Sequence, residues 1–216
     1  MRSDKFLKFQ WVGEANNNLS RVIILAHGAG APMDSPFMEK FSNGLHNIGL
    51  NIARFEFPYM VKTRKDGIKR PPDKIEKLLM AWRDVIVRLS NLGIAPKQLI
   101  IGGKSLGGRV ASMIADEQEV AGLVCLGYPF HPPGKPNSLR IEHLKSIRTQ
   151  ALFIQGERDI FGSKGEVEGY PLSKKIRIHW AKDGDHSLKP RKLSGMNEKL
   201  LLNHAVVEVA DFVRRL

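Results

Sequence analysis

The stretch Leu99–Arg109, L-I-I-G-G-K-S-L-G-G-R, limits what this chain can become more than any other. An apolar run enters a glycine pair, and a serine follows with glycine two places before and two places after it. Gly103-Lys104-Ser105-Leu106-Gly107 fits G-x-S-x-G, the sharp strand-to-helix turn that lifts a serine hydroxyl clear of a parallel sheet. The backbone at such a serine is strained, and the two flanking residues crowd each other, so both must be almost free of side chain. The turn aims the Leu106 amide at the place where an oxyanion would form, and a helix starting near Leu106 adds the positive end of its dipole. A rival reading is a phosphate loop, because Gly103-Lys104-Ser105 spells the end of G-x-x-x-x-G-K-[ST]. That pattern needs glycine at position 98, where Gln98 stands, and the strand leaves no room before Gly102 for a loop around phosphates.

Strands and helices alternate around this turn. Phe6–Val12 reads as an edge strand and Gly13–Ser20 as a turn. Apolar runs at Arg21–Ala26, Asn51–Phe57, Leu99–Ile101, Ala121–Gly127, Ala151–Gln155 and Lys175–Trp180 have the length and bounding residues of strands. Helical spacing marks Pro36–Ile48, Lys74–Leu92 with Asp73 as its cap, the elbow helix to about Asp116, a short piece near Leu139–Ser146, and Asn197–Arg214. Tyr59–Pro72 reads as a polar, basic loop. The pattern predicts one α/β domain over residues 1–216, with a mostly parallel central sheet and helices on both faces. Residues 128–150 are too few for a lid domain, so the expected pocket is open. The start, Met1–Gln10, lacks a signal-peptide pattern, and the longest apolar runs are of strand length, so no membrane span is expected. The single cysteine, Cys125, cannot form an internal disulfide, which fits a cytoplasmic protein; a buried strand thiol is also expected to be inert.

Ligands of such sheets bind beyond the carboxyl ends of the strands. His27, Ser105, Asp159 and His186 each follow such an end. The order serine, aspartate, histidine is that of a nucleophile, its orienting acid and its base in this class of sheet. A serine hydroxyl is a poor nucleophile until a base takes its proton, and imidazole exchanges protons near neutral pH. Ser105 is therefore the expected nucleophile, His186 the base, and Asp159 the group that fixes the ring. Glu157, two residues earlier, is an alternative acid, while Asp183 and Asp185 sit too close to His186 to orient it and are expected to shape its turn. The small residues of His27-Gly28-Ala29-Gly30 permit close backbone approach; the second oxyanion amide is assigned to Ala29, with Gly30 as alternative, and His27 to stabilising the turn. His46, His143, His179 and His204 fall on helices or a strand and are read as structural, whereas His131 follows a strand end and is a candidate pocket residue. Gly30, Lys104 and Tyr59 are the other candidate substrate contacts. Lys104 either touches substrate or pins the elbow through a salt bridge. No metal or cofactor is expected, since no histidine pair has ligand spacing.

H-G-A-G, G-K-S-L-G-G-R, G-E-R-D-I-F-G and D-G-D-H-S together resemble the small α/β-hydrolases related to dienelactone hydrolase. The resemblance runs from about Val22 to the last helix. It is nearest to the branch that holds the testis-expressed hydrolase-like proteins and the hydrolase-like domain of a subunit of the NSL histone-acetyltransferase complex. It implies an α/β-hydrolase fold, a Ser105–Asp159–His186 triad, and an oxyanion hole from Leu106 and the H-G-A-G turn. Dienelactone hydrolases use a cysteine nucleophile where this chain has serine, so a general ester or acyl hydrolase is the activity implied. A non-catalytic interaction module on the same fold is the alternative, because fold alone does not set activity.

The net charge of +12 admits nucleic-acid binding, but no recognised nucleic-acid module accompanies it, and a small-molecule ester is the expected partner instead. Lys62, Arg64, Lys65, Lys69 and Arg70, with Lys189, Arg191 and Lys192 after His186, are read first as a solvated basic surface. The second reading makes them a basic collar for an anionic acyl substrate.

Overall fold

The computed structural model describes residues 6–10 and 21–216. Seven strands form one sheet in the order β1-β3-β2-β4-β5-β6-β7. They are β1 Leu7–Gln10, β2 Val22–Ala26, β3 Asn51–Phe55, β4 Leu99–Lys104, β5 Gly122–Leu126, β6 Ala151–Gly156 and β7 Ile176–Ala181. Only β1 runs antiparallel, against β3; every other pairing is parallel. The expected sheet is thereby found, although Trp11, Val12 and the turn expected at 13–20 lie outside the described residues.

Strand alternation decides which face each side chain serves. Ile24, Ala26, Ile101, Leu123, Cys125 and Phe153 point into one core, under α3 (Ile75–Ser90) and α4 (Leu106–Ser112). Ile23, Leu25, Ile100, Val124, Leu126 and Ile154 point into the other, under α1 (Pro36–Asn47) and α6 (Glu198–Arg215). Lys104 has the parity of Ile100, and this puts its side chain beneath α1, where its ammonium lies 5.7 Å from the Phe37 ring centre. The two-sided covering explains why β2 to β6 are buried along their whole lengths and are mostly apolar.

Four local expectations are corrected. Residues 59–72 are not all loop: Pro58–Asp66 is helix α2. It carries no apolar stripe, but Pro58 opens it, Arg64 and Lys65 fill its last turn, and Gly67 closes it in the left-handed conformation at φ 75°. Asp73 does not cap α3; its carboxylate binds Lys77 at 2.7 Å, and Lys74 holds the N-cap position. The elbow helix stops at Ser112 rather than near Asp116, as Met113 and Ile114 donate to the carbonyls of Val110 and Ala111 and tighten the chain into turns. Near 139–146 the helical piece is a single 3₁₀ turn, Glu142–Lys145. Among the described residues no helix is long and apolar enough to cross a membrane.

Trp82 anchors the α3 core: it is fully buried, and its ring meets Phe55 edge-on at 4.7 Å. Among the described residues its indole N–H has no hydrogen-bond partner. Trp82→Phe should therefore cost less than about 1.5 kcal/mol, whereas Trp82→Ala should cost about 3–5 kcal/mol, as read by urea unfolding.

Candidate active site

The elbow is a consequence of how closely β4 passes β2. A Cβ on Gly103 would stand 2.0 Å from the Ala26 carbonyl oxygen, and one on Gly107 would stand 2.3 Å from that same atom. The glycines flanking Ser105 are thus required first by the β2 backbone, not by each other as the spacing alone suggested. Ser105 itself takes φ 49°, ψ −111°, a conformation that L-residues adopt only under constraint. Its amide donates to the Leu126 carbonyl at 3.0 Å, tying the serine to the end of β5. Leu106 is the first residue of α4, so its amide belongs to the helix's unpaired first-turn donors.

Beyond β5 lies Gly127, and a Cβ there would touch the His186 carbonyl oxygen at 2.7 Å and its Nδ1 at 3.3 Å. Gly127 follows the very residue that binds the Ser105 amide, so the fold carries His186 and Ser105 to one corner of the rim. His186 Nδ1 lies 2.8 Å from Asp159 Oδ2. Asp159 is buried and also accepts from Gln155 Nε2 at 2.9 Å and from the Phe161 amide at 2.9 Å. A carboxylate accepting a proton from Nδ1 leaves Nε2 as the free, basic nitrogen of the ring. Phe161 closes the other side of the imidazole, with ring centres 4.3 Å apart. Glu157, the alternative acid, is engaged elsewhere, by the Asp183 amide at 3.0 Å and by Lys164 at 3.4 Å. Asp185 accepts from the amides of Ser187 and Lys189, and Asp183 from Arg191, so both shape the His186 turn as expected.

Lys104 differs from expectation. It is buried, and among the described residues it makes no salt bridge; its ammonium donates to the His186 carbonyl at 2.6 Å. Burial pushes its pKa down to about 8, with Asp159 and Asp185 pulling weakly the other way. Lys104 therefore clamps the His186 segment from beneath rather than facing substrate.

The turn after β2 is built from inside. His27 is fully buried, its Nδ1 paired with the Gly28 carbonyl at 2.7 Å and its Nε2 accepting from the Phe57 amide at 3.1 Å. Both ring nitrogens are used by one neutral tautomer, and burial lowers the pKa further. Tyr59, expected at the pocket, is buried, and its hydroxyl donates to the Ala29 carbonyl at 3.0 Å, with the Gly28 carbonyl at 3.4 Å. It holds the turn through its carbonyls. His131 is likewise buried, with Nδ1 at 2.9 Å from the Pro132 carbonyl and Nε2 3.5 Å from Glu166. Ala29 and Gly30 are exposed and line a cleft of about 390 Å³ with Pro32, Met60, Thr63 and Arg64.

A family model described as alpha/beta hydrolase domain matches residues 19–214. The chain belongs to the alpha/beta hydrolase domain family. Solved structures carry the same fold at low identity. An alpha-beta serine hydrolase homologue from Coxiella burnetii is 15% identical, with TM-score 0.67, covering 97% of this chain and 89% of that one. Est1E from Butyrivibrio proteoclasticus is 13% identical with TM-score 0.68, covering 97% and 93%. Dienelactone hydrolase from Anabaena variabilis is 18% identical with TM-score 0.65, covering 92% and 88%.

The basic rim of this α/β-hydrolase is partly neutralised. Arg64 grips both Asp34 and Glu56 in two-pronged contacts at 2.6–3.0 Å, Arg70 grips Asp66 at 2.6 Å, and Arg191 pairs with Asp183 at 2.6 Å. Lys62, Lys65, Lys69 and Lys192 remain exposed. A second serine–histidine contact, Ser112 Oγ to His143 Nε2 at 2.8 Å, lies on the far end of α4. Ser112 also lies 2.7 Å from the Arg109 carbonyl, which accepts its single proton, so it receives the histidine's hydrogen and is not activated. Sequence reading missed Gln155 and Phe161; the sole cue was a polar residue ending the buried run A-L-F-I-Q.

Two measurements probe this geometry. Gly103→Ala should cost more than about 3 kcal/mol in urea unfolding, since the obstacle is backbone and the φ of 148° excludes a side chain as well. For Lys104 the folded pKa of about 8 lies below the ordinary lysine value of 10.5. The unfolded chain holds the extra proton between these values, so stability rises with pH across that window and the full cost of burial is present below it. Relative to Lys104→Met, the parent should gain about 2 kcal/mol between pH 7 and pH 10. A difference that is flat with pH would contradict the buried charge.

Proposed function

We propose that this chain is a serine hydrolase that cleaves a small carboxylic ester, or a related acyl bond, through an acyl-enzyme. The observation that carries the reading is the 2.8 Å contact of His186 Nδ1 with buried Asp159, at the corner where the strained Ser105 stands. In this reading Ser105 Oγ attacks the carbonyl carbon while His186 Nε2 takes the hydroxyl proton. The tetrahedral oxyanion sits against the Leu106 and Ala29 amides. Collapse expels the alcohol with the proton from His186, and water, deprotonated by the same nitrogen, then releases the acid. Asp159 stays ionised and balances the imidazolium. Gln155 and the Phe161 amide hold the carboxylate still, the Phe161 ring packs against the imidazole, and Lys104 holds the His186 backbone, so little is left for substrate to order at the base. The open cleft beside Ala29 and Gly30 suits small or exposed esters. Sequence likeness to the branch of testis-expressed and NSL-complex hydrolase-like proteins brings no substrate with it. A cytoplasmic setting is the one that suits the single, buried Cys125.

A fluorophosphonate probe should label the parent, and Ser105→Ala should not be labelled. His186→Gln should lower kcat/KM on p-nitrophenyl acetate by at least about 10³-fold. Equal labelling of Ser105→Ala refutes the assignment. A folded parent that neither labels nor turns over esters would point to an interaction module on this fold.

A further inference from the structure

Two arginines, Arg109 on α4 and Arg140 in the chain between β5 and β6, differ from those of the rim. Arg109 stands one turn after Ser105, and its amide donates to the Ser105 carbonyl at 3.0 Å. Leu106 and Arg109, three residues apart, share a face of α4. Arg140 is held in place through its backbone: its amide donates to the Phe130 carbonyl at 2.7 Å, and its carbonyl accepts from Tyr128 Oη at 2.8 Å. The two segments are stitched together by the Ser112–His143 bond, since Ser112 lies three residues after Arg109 and His143 three residues after Arg140.

Both residues are half-buried, and among the described residues neither side chain has a hydrogen-bond or ion-pair partner. The Nε atom of Arg109 is shut off from solvent and unpaired. Elsewhere on the rim Arg64, Arg70 and Arg191 each meet a carboxylate at 2.7 Å or closer. Among the described residues no acid serves Arg109 or Arg140: the neighbouring Glu142 is bound to Lys145 at 2.7 Å. The groups around the pair are Tyr128, neutral below alkaline pH because burial pushes its hydroxyl up, and His143, pushed down by burial and then by Arg109. Arg140 is itself pushed down by burial and next by the charge of Arg109. Two partly desolvated like charges with no counter-ion are costly, and an anion that meets both removes the cost.

We propose that Arg109 and Arg140 form a binding site for an oxyanion, a carboxylate or phosphate group, next to the Ser105 elbow. The group has two sources: the charged end of an ester substrate, which rests on the hydrolase reading, or a free anion. This replaces the loop collar as the locus of anion recognition, because the arginines of that collar are already spent on carboxylates.

The test is thermal unfolding of the full chain titrated with sodium phosphate or sodium succinate, with ionic strength held constant by chloride. Tm should rise saturably in the parent and stay flat in Arg109→Gln and Arg140→Gln. Without added anion, both variants should melt above the parent, since each loses an unpaired charge and no hydrogen bond. Equal rises in parent and variants, no saturable rise in the parent, or variants that melt below the anion-free parent would each overturn the site. Turnover of p-nitrophenyl hemisuccinate against p-nitrophenyl acetate separates the sources. A preference for the hemisuccinate that falls by about tenfold or more in the variants assigns the site to substrate. An unchanged preference beside lost phosphate binding assigns it to a free anion. Anion binding in a parent that hydrolyses neither ester would remove the hydrolase reading and leave this site standing.

Discussion

The Ala26 carbonyl oxygen is the point against which the rest of the rim is measured. Two residues of the elbow, Gly103 and Gly107, press on this one atom, and no side chain fits at either. That close backbone approach sets the height of Ser105 above the sheet, where its φ is 49°. It also fixes the start of α4, and with it the direction of the Leu106 amide. A parallel sheet with cores on both faces is what makes such an approach durable, because neither β2 nor β4 can move away.

Around that rigid point the molecule places its polar groups in depth rather than at the surface. Asp159, Gln155, His27, Tyr59 and Lys104 are all buried, and each is hydrogen-bonded to a neighbour. Lys104 stands apart as a cation with no carboxylate partner among the described residues, held beneath α1 at an energetic loss near neutral pH. What it holds is the backbone of His186. A loss of stability retained at such a place matches the general trade between stability and a prepared site.

Much of this was legible in the amino-acid order. The run of five buried strands, the elbow, and the order of Ser105, Asp159 and His186 depend on local spacing and on a rule of sheet topology, both of which a sequence displays. The stripe of α3 was clear for the same reason. Helix α2 was not, because its helicity rests on Pro58 and Gly67 at its ends and not on an apolar face. Tyr59 and His131 were placed at the pocket because they follow strand ends, yet which way a side chain turns there is decided by tertiary partners such as the Ala29 carbonyl. Charge was the least legible quantity. Arg64 looks like Arg109 in a sequence, and only the positions of Asp34 and Glu56 tell them apart.

The buried thiol has a practical consequence. Cys125 is the chain's only cysteine, lies wholly under α4 with its sulfur 3.5 Å from the Gly108 carbonyl, and is pushed well above the usual thiol range by burial. Electrophiles that hunt thiolates will pass it by. Exchanging the elbow hydroxyl for sulfur, Ser105→Cys, would give the folded protein a single alkylatable atom, and the speed of its modification would report directly on who occupies the rim.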